Sequence, residues 1–186
     1  IGYMSRFLDV LKEKDVPCVF FLVGDYVRNE ANHDLVQRMI DEGHQIGSHS
    51  NTHPEAGMPS LTPQEQYDDL SAMDDYMREN FGYNIALYRV PSGEGSERCY
   101  AFADMFGYHN VLWSFAMRDW LVDDQMDEQE ALQMCLDQLH PGAIYVMHTV
   151  SSTNADIIAD FIDGARALGY EFAAYPEEGF TQPSYR

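Results

Sequence analysis

Asn32-His33-Asp34-Leu35-Val36-Gln37-Arg38-Met39-Ile40-Asp41-Glu42-Gly43-His44-Gln45-Ile46-Gly47-Ser48 is the stretch that decides how this chain folds. Leu35, Val36, Met39 and Ile40 recur at helical spacing, Gly43 stands where a helix needs a residue that tolerates the left-handed conformation in order to stop, and Gln45-Ile46-Gly47-Ser48 then reads as a short strand. The same alternation extends in both directions. Upstream, Phe7, Leu8 and Leu11 mark a helix from Tyr3 to Lys14. Val16-Pro17 breaks it before the apolar run Cys18-Val19-Phe20-Phe21-Leu22-Val23, which reads as a buried strand. Downstream, Thr62-Pro63-Gln64-Glu65 combines an N-cap threonine, a proline at the first helical position and a glutamate three residues after the cap, which predicts a long helix to Phe81.

The pattern continues with a strand around Leu87-Tyr88-Arg89, a helix from Ser96 to Phe106 ended by Gly107, and a strand Asn110-Val111-Leu112-Trp113. Asp127 to Leu139 reads as helix, His140-Pro141-Gly142 as punctuation, and Ala143 to Met147 as strand. The last helix places Ile157, Ile158, Phe161, Ile162, Ala165 and Leu168 on one face, stops at Gly169 and leads to a strand Tyr170 to Ala174. Short apolar strands alternating with helices predict an α/β fold with a parallel sheet covered by helices, closed as a barrel or open and doubly wound. Periodicity does not choose between the two.

A length of 186 residues suits one domain, here residues 1–175, followed by a C-terminal tail over 176–186. A hydrophobic content of 45% argues for a packed core despite a formal charge of −20. That charge makes an anionic surface, which excludes nucleic acid and anionic lipid as natural partners and favours neutral or cationic ones; a merely solvated surface is the plainer reading. Cys18, Cys99 and Cys135 are too widely spaced for a metal pattern and odd in number for a disulfide framework, so they read as small core or surface residues. No run is long and apolar enough to span a membrane, and no signal-peptide pattern is present. The chain opens at Ile1 directly into a helical pattern, from which upstream sequence is expected.

Polar residues gather just after the strands, at the end where parallel α/β proteins build their sites. The first cluster, Ser48-His49-Ser50-Asn51-Thr52-His53-Pro54, sets two imidazoles four apart, which suits Zn²⁺ or a similar ion, although surface or capping histidines produce the same spacing. The second, Arg89-Val90-Pro91-Ser92-Gly93-Glu94-Gly95-Ser96, is a tight loop with a fixed cation, or an ordinary strand-to-helix turn. In the third, Trp113 to Trp120, an Asp119 beside an aromatic could orient a catalytic imidazole, and tryptophan faces stack on sugar rings; a core tryptophan and a surface aspartate would look alike. The fourth is His148 at the tip of Ala143 to Met147, a structural histidine if alone and a candidate general acid beside the other three clusters.

Taken in order, Phe20-Phe21-Leu22-Val23-Gly24, Gly43-His44-Gln45-Ile46-Gly47-Ser48-His49-Ser50 with His53-Pro54, and Arg89-x-Pro91-x-Gly93 resemble the polysaccharide deacetylases that share the NodB homology domain, carbohydrate esterase family 4. The run His140-Pro141-Gly142-Ala143-Ile144 with His148-Thr149-Val150-Ser151, Asn154-Ala155, Trp113-Ser114 and Asp119-Trp120 is most similar to the peptidoglycan N-acetylmuramic acid deacetylases of delta-lactam formation. The resemblance implies an irregular (β/α) barrel, lacking its first strand here, and metal-dependent removal of N-acetyl groups from a polysaccharide, peptidoglycan first.

Carried over residue by residue, it makes His49 and His53 ligands of a divalent metal, zinc before others. It makes His148 the general acid, Asp119 its partner and Arg89 the holder of the catalytic base. Pro91, Ser92, Trp120 and Val150 would bind substrate, Ser92 through its backbone N–H at the oxyanion and Trp120 with Val150 around the acetyl group. The chain departs from the family in two places. The opening Thr-Phe-Asp-Asp-Gly, source of the base and third ligand, should stand just before Ile1, so these 186 residues alone are expected to be inactive; and Ala116 replaces the first Asp of Asp-x-x-Asp-Trp. A cell-wall substrate would imply a secreted or wall-associated enzyme. Three other readings stand beside this one: a non-catalytic glycan-binding relative, a deacetylase of chitin-like polymers or xylan, and an α/β domain whose histidines are unrelated to one another.

Overall fold

The computed structural model describes residues 2–176. Its elements run α1 (Met4–Glu13), β1 (Val19–Leu22), α2 (Gly24–Arg28), α3 (His33–Asp41), β2 (Gln45–Ser48), α4 (Pro63–Phe81) and β3 (Leu87–Tyr88). There follow α5 (Glu97–Met105), β4 (His109–Asn110), β5 (Phe115–Ala116), α6 (Glu128–Asp137), β6 (Tyr145–Val146) and α7 (Ser152–Ala167). Every strand pair is parallel, as the alternating pattern predicts for an α/β fold. The chain forms two compact units, residues 18–112 with 174–176, and residues 2–17 with 113–173.

The first unit carries a four-stranded sheet in the order β1-β2-β3-β4. The register pairs Leu22 with Ser48, Ser48 with Tyr88, and Tyr88 with Asn110, so the strands end level with one another. Local chemistry sets the helices around it. Thr62 Oγ1 accepts from Glu65 N while Glu65 Oε2 accepts from Thr62 N, the reciprocal cap read from sequence, and α4 ends on the left-handed Gly82. Ile46, Leu70, Met73, Met77, Leu87 and Tyr88 form its interior. Gly47 has a packing role, since a Cβ there would run into the Phe21 ring.

The second unit pairs β5 with β6 and packs α7 against α6 and α1. Ser151 and Asp127 cap α7 and α6 through their side chains, and Leu8, Leu11, Cys135, Phe161 and Ile162 are buried. Lys14 Nζ to Asp163 and Arg6 to Asp156, each 2.6 Å, join α1 to α7 on the outside. The start of α1 is fastened by Tyr3 N, which donates to Thr149 O at 2.7 Å. Gly2 adopts φ 48° there, and a Cβ on it would lie 2.6 Å from that same carbonyl oxygen, so only glycine fits.

Several expectations need correction. Residues 170–174 form no strand; Phe172 sits edge-on to Phe161 at 6.3 Å and Tyr170 donates to Leu139 O, so the segment is held by side chains rather than a ladder. The strand expected over 110–113 is His109–Asn110, and that over 143–147 shrinks to Tyr145–Val146, because pairing extends only where a partner lies alongside. Leu168 follows the end of α7 and is 60% exposed, where helical spacing had placed it on the buried face. The short α2 and β5 were not read from sequence. Cys99 and Cys135 are buried and Cys18 half-buried, which of the two alternatives, small core or surface residues, favours the core. Apart from residue 176, the C-terminal tail lies outside the described residues.

Candidate active site

In the first unit the level strand ends bring successive residues together. His49 N donates to Leu22 O at 2.8 Å, Arg89 N to Ser48 O at 2.9 Å, and Val111 N to Tyr88 O at 2.8 Å. His49 Nδ1 then lies 2.7 Å from Arg89 O. A carbonyl only accepts, so Nδ1 carries the hydrogen and the neutral ring's lone pair sits on Nε2, the arrangement that metal-binding imidazoles use. The His53 ring stands beside it, with centroids 5.0 Å apart and planes at 64°.

The loop between the two histidines is strained, with Ser50 at φ 67° and His53 at φ 45°. Side chains hold it there. Asp69 of α4 is buried and accepts Asn51 N at 2.8 Å on Oδ1, and Thr52 N at 3.0 Å and Thr52 Oγ1 at 2.7 Å on Oδ2. Ser50 Oγ accepts His53 N at 2.8 Å, Gly24 N donates to Ser50 O, and Arg28 donates to the Asn51 side chain. Donor type and adjacency of the two rings fit a zinc-like ion; among the described residues no group of three or more His, Cys, Asp or Glu is assembled to complete a ligand set.

Arg89 is buried, its guanidinium 4.1 Å from the centroid of the Phe21 ring, with Nε donating to Val111 O at 3.0 Å and Nη2 to Leu112 O at 3.4 Å. Burial pushes its pKa down to about 10, with the nearby Cys18 thiol opposing the shift, so the side chain is still a cation at neutral pH. The following turn places Pro91 in the interior and Ser92 at φ 58°. Gly93 N and Glu94 N close it onto Val90 O and Pro91 O, and these bonds do not use the Ser92 N–H.

In the second unit, Asp119 is 3% exposed and holds His148 at two points. Its Oδ1 lies 2.6 Å from His148 Nδ1, and its Oδ2 accepts His148 N at 2.7 Å. The proton on Nδ1 therefore faces the carboxylate, and Nε2 is the nitrogen from which a proton can be passed on. The His148 side chain is 42% exposed, so a substrate can reach it. Trp120, 50% exposed, presents a ring 5.9 Å from the imidazole at 67°, and Val150 is also at the surface. Gln125 Nε2 ties the intervening loop by donating to Asp119 O at 2.9 Å and Leu121 O at 2.7 Å.

Two participants had no role in the sequence reading. Asp69 follows Gln66 and precedes Leu70, Met73 and Met77 on the buried stripe of α4, and Asn154 precedes Ile157, Ile158 and Phe161 on that of α7. A polar residue set into an apolar stripe of a helix was the signal that could have found both.

Residues 2–111 match the family model for polysaccharide deacetylases. The chain is 40% identical to an uncharacterized 30.6 kDa protein of Geobacillus stearothermophilus over 92% of its own length and 63% of that protein's. It is 37% identical to the peptidoglycan-N-acetylmuramic acid deacetylase PdaA of Bacillus subtilis, spanning 97% of this chain and 68% of the relative. The solved structure of Bacillus subtilis PdaA, a family 4 carbohydrate esterase, superposes with a TM-score of 0.85 over 93% of this chain and 73% of that one. A family 4 pseudoenzyme from Bacillus anthracis, 28% identical, superposes with a TM-score of 0.82 over 91% and 58%.

Proposed function

The chain belongs to the polysaccharide deacetylase family, and on that premise we propose that the protein hydrolyses N-acetyl groups from an amino-sugar polysaccharide, with peptidoglycan as substrate. The observation that carries this reading is the buried Asp119 bonded through both oxygens to a partly exposed His148. Such a dyad keeps Nδ1–H against the carboxylate, so that a second proton taken up by the ring sits on Nε2 of the imidazolium and can be delivered to the amine that departs when an amide is cleaved. Trp120 and Val150 offer apolar walls for the acetyl methyl group, and the Ser92 N–H offers a donor for the charge that develops on the carbonyl oxygen. The Arg89 cation is suited to hold a carboxylate base.

His49 and His53 would hold a divalent cation, zinc by donor type, with the third ligand and the base supplied by an Asp-Asp pair of the kind that opens family members. The bound ion would contribute Lewis-acid polarisation of the acetyl carbonyl and a water of lowered pKa. A substrate in the wall places the enzyme outside the membrane; among the described residues no helix is long and apolar enough to cross one.

The likeness to a family 4 pseudoenzyme favours a second reading, glycan binding without catalysis. Both are tested by following acetate release from N-acetylated peptidoglycan, with chitin oligomers and acetylated xylan alongside. The protein used should be the full-length protein, with and without added Zn²⁺. Deacetylation predicts acetate that disappears in His148→Ala; glycan retention with no acetate under the same conditions would establish the second reading instead.

A further inference from the structure

Asn154 is completely buried in the first turn of α7, its backbone fixed by donation from Asn154 N to Ser151 Oγ at 3.0 Å. Its side-chain amide nitrogen donates to Asp119 Oδ2 at 2.5 Å and to His148 O at 3.2 Å. Both partners can only accept, so the amide cannot be turned over without setting oxygen against oxygen. The Asn154 Oδ1 is left buried with no hydrogen-bond partner among the described residues. A bare buried acceptor is destabilising, and an apolar residue would suit this stripe of α7 better if packing were the only requirement. What asparagine adds is a pair of N–H donors aimed at the carboxylate and at the backbone of the histidine it serves.

The remaining anchors of Asp119 have a gap that Asn154 fills. His148 contributes its own N–H and its ring to the carboxylate, but both belong to the residue being positioned. Among the described residues, the hydrogen bonds to the carboxylate come from His148 and Asn154, and only the one from Asn154 comes from a separate element, α7, so it can set the plane of the carboxylate independently of His148. Resting on the reading of His148 as proton donor, we propose that Asn154 is a positioning residue that orients Asp119 and thereby holds His148 in the Nδ1-protonated tautomer.

The test is long-range ¹H–¹⁵N NMR of the His148 ring in this chain, without substrate, at a pH where the ring is neutral. The unaltered chain is expected to show one protonated Nδ1 and one bare Nε2. In Asn154→Ala, and in Asn154→Ser should alanine fail to fold, both nitrogen shifts are expected to move toward intermediate values as the tautomers exchange, with loss of the downfield Nδ1 proton signal. Either folded variant keeping the resting tautomer overturns the proposal, whatever its thermal stability. Because no substrate is present, that outcome leaves the deacetylase reading intact, whereas absent acetate release with an undisturbed tautomer would remove that reading alone.

Discussion

Replacing Asp69 takes away the acceptor on which the histidine loop converges. Three donors from two adjacent residues, Asn51 N, Thr52 N and Thr52 Oγ1, point at its two oxygens. Hydrogen bonds to a charged group contribute about 1.5–3 kcal/mol each, and since these donors are only part-buried the lower end applies, or about 4–5 kcal/mol for the set. That is a large share of the roughly 5–15 kcal/mol that stabilises a typical domain. Asp69→Ala should therefore bring the unit close to unfolding. Asp69→Asn keeps one oxygen, which can still serve Thr52 while its NH₂ faces the Asn51 N–H, so one bond is lost and the expected cost is about 1.5–3 kcal/mol. Urea unfolding measures both, and amide exchange at Asn51 and Thr52 localises the effect. Zinc titration followed by calorimetry should show binding about 10–100-fold weaker in Asp69→Asn, the usual result of removing support from metal ligands. The reasoning fails if Asp69→Ala loses less than about 1 kcal/mol, or if the two amides exchange as slowly as before.

Further outcomes follow from other sites. Asp119→Asn removes the acceptor for the His148 ring and should lower acetate release by about 10²–10⁴-fold with little change in KM, read from steady-state kinetics of the complete protein. Gly47→Ala drives a methyl group into the Phe21 ring, on which Arg89 rests; overpacking should cost about 1–3 kcal/mol in denaturant unfolding, and an unchanged midpoint would show that the ring can move aside. Thr62→Ala breaks the reciprocal cap of α4 and should lower stability by about 1 kcal/mol in the same measurement. His44 is buried edge-on to Phe20 at 5.3 Å with neither ring nitrogen partnered among the described residues, and burial holds its pKa below the ordinary value of about 6.5. The unfolded chain therefore takes the proton first, so the contribution of His44 is complete above about pH 6.5 and declines as pH falls from there toward the depressed folded value. His44→Leu should flatten the unfolding midpoint against pH in that acid range, and an unchanged slope would refute the assignment.

Helix α4, with its reciprocal cap, was legible in the sequence almost to the residue, and α7 through its apolar stripe and glycine stop, because these signals are local. Strand extents were not, since β4 and β6 stop where their neighbours stop, and pairing is a property of the sheet rather than of the segment. The site divides along the same line. His49, His53, Asp119 and His148 could be singled out as candidates because each follows a strand inside a recognisable string. The acceptors and donors that hold them, Asp69 and Asn154, sit 18 and 35 positions away in sequence from groups they bind, where no local pattern connects them. Arg89 was read as a partner for a carboxylate, while its backbone carbonyl, which sets the His49 tautomer, is a role any residue type could fill and so leaves no trace in composition.

The fastening of Tyr3 N to Thr149 O has a mechanical consequence. Tension entering α1 from its N-terminal side, by a fused partner or by the tip of a force probe, loads that bond before it reaches the interior of α1, and Thr149 is the immediate neighbour of His148. A pull too weak to unravel any helix would thus be felt first beside the imidazole, and the NMR signals of the His148 ring should shift under traction well below the force that unfolds the molecule.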